Sequence, residues 1–277
     1  MRLDDYSIVE FDGPDAVAFT HAQFANDVAS LPVGHWQWNA WLTAKGRVIA
    51  VFALLKRAPD ALLALVPDMP ADAFAEPLKR FVFRRKLRIA SRADLAVVGI
   101  GHPPQHAAGA ASAPAAEHGI ELDFGSAECP RTLLIATREA AADLPADDGG
   151  WRRLDLRFGL PRLDASQREQ WTPQQLALDR LQAYSVSKGC YPGQEIVART
   201  HFLGKAKRAA TLLELRGPVN PGDDVTHAGT AIGTVAGIAI GTPTLALAVL
   251  PLDAPTDALA VSGSTARAVP MLDGLAR

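Results

Sequence analysis

Cysteine is scarce in this chain. There are two in 277 residues, Cys129 and Cys190. That excludes a disulfide-stapled scaffold and points to reduced thiols in a cytoplasmic protein. No apolar run approaches the roughly 18–20 residues of a membrane-spanning helix. The first ten residues carry Asp4, Asp5 and Glu10 and are not expected to form a signal peptide. A charge excess is also missing: the formal net charge is −2, which excludes a globally basic binder of nucleic acid or anionic lipid. No phosphate-binding glycine loop, dinucleotide fingerprint, zinc-ligand spacing or Ser/His/Asp arrangement stands out, and no solenoid repeat is visible.

What is present is an ordinary globular mix, 48% hydrophobic and 21% charged. A chain of this length suits two domains or three small ones. Asp12-Gly13-Pro14-Asp15 opens a helix expected to run to a stop at Pro32-Val33-Gly34. Trp36, Trp38 and Trp41 with polar Gln37 and Asn39 suggest a strand. Lys45-Gly46-Arg47 turns into an apolar strand, 48–55, and Ala58-Pro59-Asp60 reverses it into 62–66. A helix is expected over 72–83, with Pro77 a blemish. Strands follow at 87–90 and 95–100, then a mobile Ala/Pro/Gly/His connector over 101–116. A short strand at 133–136, a short helix at 138–143 and a turn at 147–150 lead to a strand over 151–158. Thr172-Pro173 reads as the start of a helix to Leu181. From Thr211 onward, short apolar runs separated by Gly, Pro and Asp read as a small β-sandwich or barrel.

Chemistry concentrates in Lys188-Gly189-Cys190-Tyr191-Pro192-Gly193-Gln194-Glu195. A lone cysteine is most often a small buried apolar residue. Here glycines flank it, and Lys188 favours a thiolate, so a partly exposed nucleophile or redox thiol is the sharper reading. Seven scattered histidines give no support to a Cys/His hydrolase. Two basic clusters, 79–92 and 205–208, are either solvated faces or docking surfaces for an anionic tail or RNA phosphate. The aromatics Tyr6, Trp36, Trp38, Trp41, Trp151 and Trp171 are core residues or the flat walls of a heterocycle pocket.

These residues carry a family resemblance. The eight-residue segment resembles the K-G-C-Y-x-G-Q-E signature of the YgfZ folate-binding proteins, relatives of the glycine cleavage T-protein. Gly13-Pro14-Asp15-Ala16 with Gln23 and Asp27-Val28, Lys45-Gly46-Arg47, residues 78–89, Gly159-Leu160-Pro161, Thr172-Pro173, Ala198-Arg199, Gly204 and Lys207-Arg208 follow in the family's order. The resemblance covers nearly the whole chain. It implies an α+β fold, a three-domain ring as in the T-protein. Residues 1–45 with 146–205 would form the first α+β domain, 46–145 the second, and 206–277 a C-terminal β-barrel.

It further implies a monomeric, tetrahydrofolate-binding accessory protein with no membrane role. Such a protein assembles or repairs iron–sulfur client enzymes, among them a tRNA methylthiolase; direct tRNA binding by the 79–92 face is a further expectation. Cys190 is the implied functional thiol, with Lys188 beside it. Tyr6, Trp151, Asp155, Tyr191, Gln194, Glu195 and Arg199 are the implied folate contacts, and no metal site is implied. The alternative is an aminomethyltransferase-like one-carbon transferase. Two departures bear on it. The place of the T-protein's catalytic aspartate reads Val66-Pro67-Asp68-Met69-Pro70. Arg157 stands where relatives carry a pterin-binding glutamate, leaving Asp155 as its substitute.

Overall fold

The computed structural model describes residues 1–115, 119–204 and 206–277. Lys205, part of the second basic cluster, and Ala116, the end of the expected connector, lie outside the described residues. The first sheet has five antiparallel strands: β1 (Tyr6–Asp12), β2 (His35–Leu42), β3 (Val48–Ala58), β4 (Ala61–Pro67) and β5 (Arg88–Ser91), in the order β2-β3-β4-β1-β5. Both faces of this sheet are buried, so β3 and β4 read as continuous apolar runs rather than alternating ones. One face carries Phe52, Leu54, Leu62 and Ala64 against Phe19 of helix α1 (Ala16–Gln23) and Phe74 of α2 (Ala71–Lys79). The other face carries Trp36, Trp38, Leu55, Leu63 and Leu65 into the central core.

That central core is shared with a second sheet. Strands β6 (Leu95–Ile100), β7 (Ala113–Pro114), β8 (Ile120–Asp123) and β9 (Thr132–Thr137) pair in the order β6-β9-β8-β7. They contribute Val97, Leu122, Leu133 and Ile135, and helix α3 (Gly150–Arg157) adds Trp151. Helix α4 (Gln194–Phe202) leads into a closed six-stranded barrel. Its strands are β10 (Arg208–Leu215), β11 (Asp224–His227), β12 (Thr230–Ala239), β13 (Thr244–Pro251), β14 (Leu259–Val261) and β15 (Ser264–Val269). The segment after β15 runs back over the sheets. Leu275 is buried, and its carbonyl accepts a 2.8 Å bond from Trp38 Nε1.

Several sequence expectations are corrected here. The boundary at 45/46 falls inside one sheet, because β2 and β3 pair across it. Residues 151–157 are helical and Phe158 caps the helix, so this stretch is not a strand. The Asp-Asp-Gly-Gly turn before them is the helix start: Asp147 Oδ1 accepts from Trp151 N at 3.1 Å and Gly149 takes φ +97°. Trp151 and Asp155, four residues apart, then share one buried face. Residues 172–181 form successive turns instead of a helix, with Ala177 at φ +52° and Gln182 at φ +54°. Residues 138–143 are also turns. Helix α1 ends at Gln23 because Phe24 goes extended and packs edge-on to Phe11 and Phe52. Helix α2 ends at Lys79, short of the expected Phe83. The connector is held: the buried Glu121 carboxylate accepts from the backbone N–H groups of Gln105, His106 and Ala107. Strands β1, β7, β8 and β11 were not expected.

Candidate functional site

The Cys190 segment is a platform built on the end of α1. Lys188 is buried, and its Nζ donates to the carbonyl oxygens of Phe24 at 2.6 Å and Asn26 at 3.0 Å, and also to that of His21. These are carbonyls at and just beyond the C-terminus of α1, where a cation is favoured. Burial pushes the Lys188 pKa down to about 8, against a smaller opposing pull from Asp27. The ammonium is therefore spent on backbone, and the expected pairing of Lys188 with the thiol is not what the structure forms. Cys190 is exposed, whereas Cys129 is half-buried.

Tyr191 is buried, and its hydroxyl donates to Ser185 O at 2.9 Å; burial, with Tyr184 adding to it, pushes its pKa up to about 12. Gln194 Nε2 donates back to Lys188 O at 3.0 Å, closing the loop on itself. Glu195 and Arg199 stand exposed on α4. Gly193 starts α4 at φ +80°.

Beside this platform opens a cavity of about 920 Å³. Tyr184, Ser185 and Val186, which lead into the signature, form part of its wall, and Thr200 and His201 of α4 form another. Gln37 of β2 and Gln174 of the turn region line it as well, with Arg180 and Arg277. Gln37 is 8% exposed, and its Nε2 has no hydrogen-bond partner; Gln174 Oε1 is likewise buried and unpartnered. Such atoms are rare in folded proteins because each costs about 1–3 kcal/mol. Here one is a donor and the other an acceptor, and both belong to side chains lining the same cavity. Burial, with Asp179 adding to it, pushes the Tyr184 pKa up to about 12, so its phenol stays protonated there.

The residues expected to wall a folate pocket lie elsewhere. Trp151 is 2% exposed and stacks 6.2 Å from Phe124, with the Arg131 guanidinium 4.6 Å over its ring. Asp155 is fully buried and accepts from Arg131 Nη1 and Arg162 Nη1, each at 2.7 Å, and from the Tyr6 hydroxyl at 3.3 Å. Desolvation, reinforced by Asp155, raises the Tyr6 pKa well above its ordinary value. Asp68 belongs to the same network, bonded by Arg152 Nη1 at 2.6 Å and Arg162 Nε at 2.7 Å; Asp5 also pairs with Arg162. The structure thus brings Tyr6, Trp151 and Asp155 together as a buried ionic and aromatic cluster. Tyr191, Gln194, Glu195 and Arg199 lie on the segment after Cys190 and on α4, and none of these seven residues lines the large cavity.

Sequence reasoning missed Gln37, Gln174, Tyr184, Arg180 and Arg277. For Gln174 a signal was available, since it follows the Thr172-Pro173 motif directly. Nothing local marks the others.

No protein-family model matches the chain. Among curated proteins it is similar to the tRNA-modifying protein YgfZ of Serratia proteamaculans, 31% identical over 77% of this chain and 70% of the relative. The YgfZ of Sodalis glossinidius is 30% identical over 81% and 74%. That of Edwardsiella ictaluri is 32% identical over 78% and 70%. Among solved structures, the glycine cleavage system aminomethyltransferase T of Bartonella henselae superposes with a TM-score of 0.76. The match covers 98% of this chain and 84% of that one at 16% identity, a likeness of fold. Among the described residues no helix is long and apolar enough to cross a membrane. With the signature segment, the T-protein architecture and relatives above 30% identity over most of their length, the chain belongs to the YgfZ family of tRNA-modifying proteins.

Proposed function

We propose that this protein binds a reduced folate and serves, as an accessory factor, the upkeep of iron–sulfur enzymes that modify tRNA. One observation carries the folate part: the cavity of about 920 Å³ is lined by Gln37 and Gln174, two side chains that each hold a buried amide atom, Nε2 and Oε1 respectively, without a hydrogen-bond partner. A pterin ring presents an amide edge with one acceptor and neighbouring donors, the complement of that pair. Arg180, which pairs with the exposed Asp273, and Arg277, whose guanidinium donates to the carbonyls of Asp123 and Gly125, put positive charge on the same lining, which suits the carboxylates of a folate tail. The volume is within the range of small-molecule sites, roughly 300–1,000 Å³. A bound reduced folate would supply a one-carbon carrier.

The chain's own contribution is orientation by the two glutamines and an exposed thiol, Cys190, on the adjoining segment. Tyr191 ties that segment to the cavity wall through Ser185. Asp68, at the place of the transferase aspartate, is held by Arg152 and Arg162, and Asp155, the expected pterin partner, by Arg131 and Arg162. This favours the accessory reading over catalysis of aminomethyl transfer.

Titration with 5-formyltetrahydrofolate, followed calorimetrically, tests the folate reading. Binding by the wild type, weakened about tenfold or more in Gln37→Leu and in Gln174→Leu, is expected, since each loses one buried hydrogen bond to the ligand. Trp151→Phe, remote from the cavity lining, is expected to bind like the wild type. Absence of binding, or wild-type affinity in both glutamine variants, refutes the placement. For the thiol, Cys190→Ala should fail to restore client-enzyme activity in cells lacking the protein while folding normally. Full restoration removes Cys190 from the function.

A further inference from the structure

The connection between α2 and β5 is exposed and unusual. Phe81 is 49% exposed and Phe83 is 87% exposed. Phe83 also sits at φ +47°, in the left-handed region. That conformation costs a bulky residue roughly 1–3 kcal/mol, and an exposed phenyl ring forgoes the stabilisation of burial. Among the described residues neither ring has an aromatic or cation–π partner; Arg85 lies over Phe19 instead. The loop is nonetheless anchored at both ends. Phe81 N donates to Leu78 O at 3.0 Å, Lys86 N donates to Asp15 Oδ2 at 2.6 Å and Asp15 N donates to Lys86 O at 3.3 Å.

Charge completes the pattern. Of the basic residues in the run, Lys79 pairs with Glu76, and Arg88 and Arg92 pair with Glu10. Arg80, Arg84, Arg85 and Lys86 have no ion pair among the described residues, and all four are exposed. A solvated basic face would explain the cations alone. It would not explain two outward phenyl rings between them, one in a strained backbone.

We propose that this loop, with Phe81 and Phe83 flanked by Arg80, Arg84, Arg85 and Lys86, is a stacking platform for single-stranded RNA. Exposed aromatic rings stack on unpaired bases regardless of sequence, and neighbouring guanidinium groups take the phosphates. Three of the four cations are arginines, whose planar fork suits phosphate better than an ammonium does. An anionic membrane is the competing partner. Membrane-surface binding usually rests on an amphipathic helix with a broad apolar face; this stretch is a turn with two rings. The inference extends the tRNA part of the reading above and does not depend on the folate cavity.

Fluorescence anisotropy with a labelled, unstructured oligoribonucleotide tests it, run beside the same RNA annealed as a duplex and vesicles containing phosphatidylglycerol. The wild type is expected to bind the single strand in preference to the duplex. Phe83→Ala should weaken that binding about tenfold, as loss of one stacked base predicts. Arg84→Gln should lower the slope of log affinity against log salt by about one. Both positions are exposed, so the melting temperature should not fall. Folate titration of Phe83→Ala should match the wild type, which separates this surface from the cavity. Equal RNA affinity in Phe83→Ala, no RNA binding at about 50 mM salt, or binding to vesicles alone each overturns the proposal.

Discussion

Gly46 and Gly193 meet backbone to backbone. A methyl group on Gly193 would stand 2.6 Å from the Cα of Gly46 and 2.6 Å from the carbonyl oxygen of Thr43. Both glycines have positive φ, +69° and +80°. The turn between β2 and β3 is therefore pressed directly onto the start of α4, and this contact couples two motifs 147 residues apart (193 − 46). Gly193→Ala is expected to destabilise the protein by about 2–4 kcal/mol, from a left-handed alanine plus the forced separation of the two segments. Urea unfolding would measure it. A loss under about 0.5 kcal/mol, the scale of an ordinary surface change, would mean the contact is not maintained in solution.

The parts of this fold that could be read from sequence are those decided by local chemistry. The β3–β4 hairpin was legible because two apolar runs flank Ala58-Pro59-Asp60. The barrel was legible from its regular short runs, apart from β11, whose four residues include only one buried side chain. The stretch 151–158 was ambiguous. Its apolar residues at 151, 154, 156 and 158 partly satisfy both periods, and the bond from Trp151 N to the Asp147 carboxylate and the burial of Asp155 decide for helix. The thiol segment was legible as a segment, but the direction of Lys188 was not. It depends on α1 ending where Phe24 peels away, a consequence of packing among Phe11, Phe52 and Phe74. Gln37 and Gln174 were invisible for the same reason, since an unpartnered buried amide exists only once distant segments have met.

The Arg131–Asp155–Arg162 cluster is fully buried, with both ion pairs at 2.7 Å. A buried pair adds little net stability, but removing one partner strands the other. Asp155→Ala would strand the Arg131 guanidinium and the Tyr6 hydroxyl, while Arg162 keeps Asp68 and Asp5, at a cost of about 3–5 kcal/mol. Replacing Asp155 and Arg131 together by Leu and Met should cost less than twice the single loss, because one stranded charge disappears with its partner. Chemical denaturation of the two variants decides this; strictly additive losses would argue against a coupled network.

Exposure separates the two cysteines. Cys190 is exposed while Cys129 is half-buried and packs against the central core. Under native conditions iodoacetamide should modify Cys190 first, with Cys129 reacting only after unfolding; peptide mass spectrometry over time reads the order. Because the Lys188 ammonium faces the α1 carbonyls, Lys188→Met should not slow alkylation of Cys190 through loss of a thiolate partner. A rate reduced about tenfold in that variant, with the fold intact by circular dichroism, would restore the lysine to a role at the thiol.

The same lysine gives a pH signature with a definite sign. Its folded pKa is near 8, below the ordinary lysine value of 10.5, and burial is the main cause. Below about pH 8 both folded and unfolded chains carry the proton, and the contribution of Lys188 is at its lowest and flat. Between that value and 10.5 the unfolded chain binds a proton that the native chain has released, so stability rises with pH across this window. Lys188→Met cannot titrate and lacks the rise. The stability of the wild type minus that of the variant should therefore increase from about pH 7 to about pH 10, measured by urea unfolding in matched salt. A difference that stays level means the ammonium keeps its proton and is held by its three carbonyl partners more strongly than burial disfavours it. A difference that falls would mean that those carbonyls raise the lysine pKa instead, and the cap on α1 would then rest on a permanent charge.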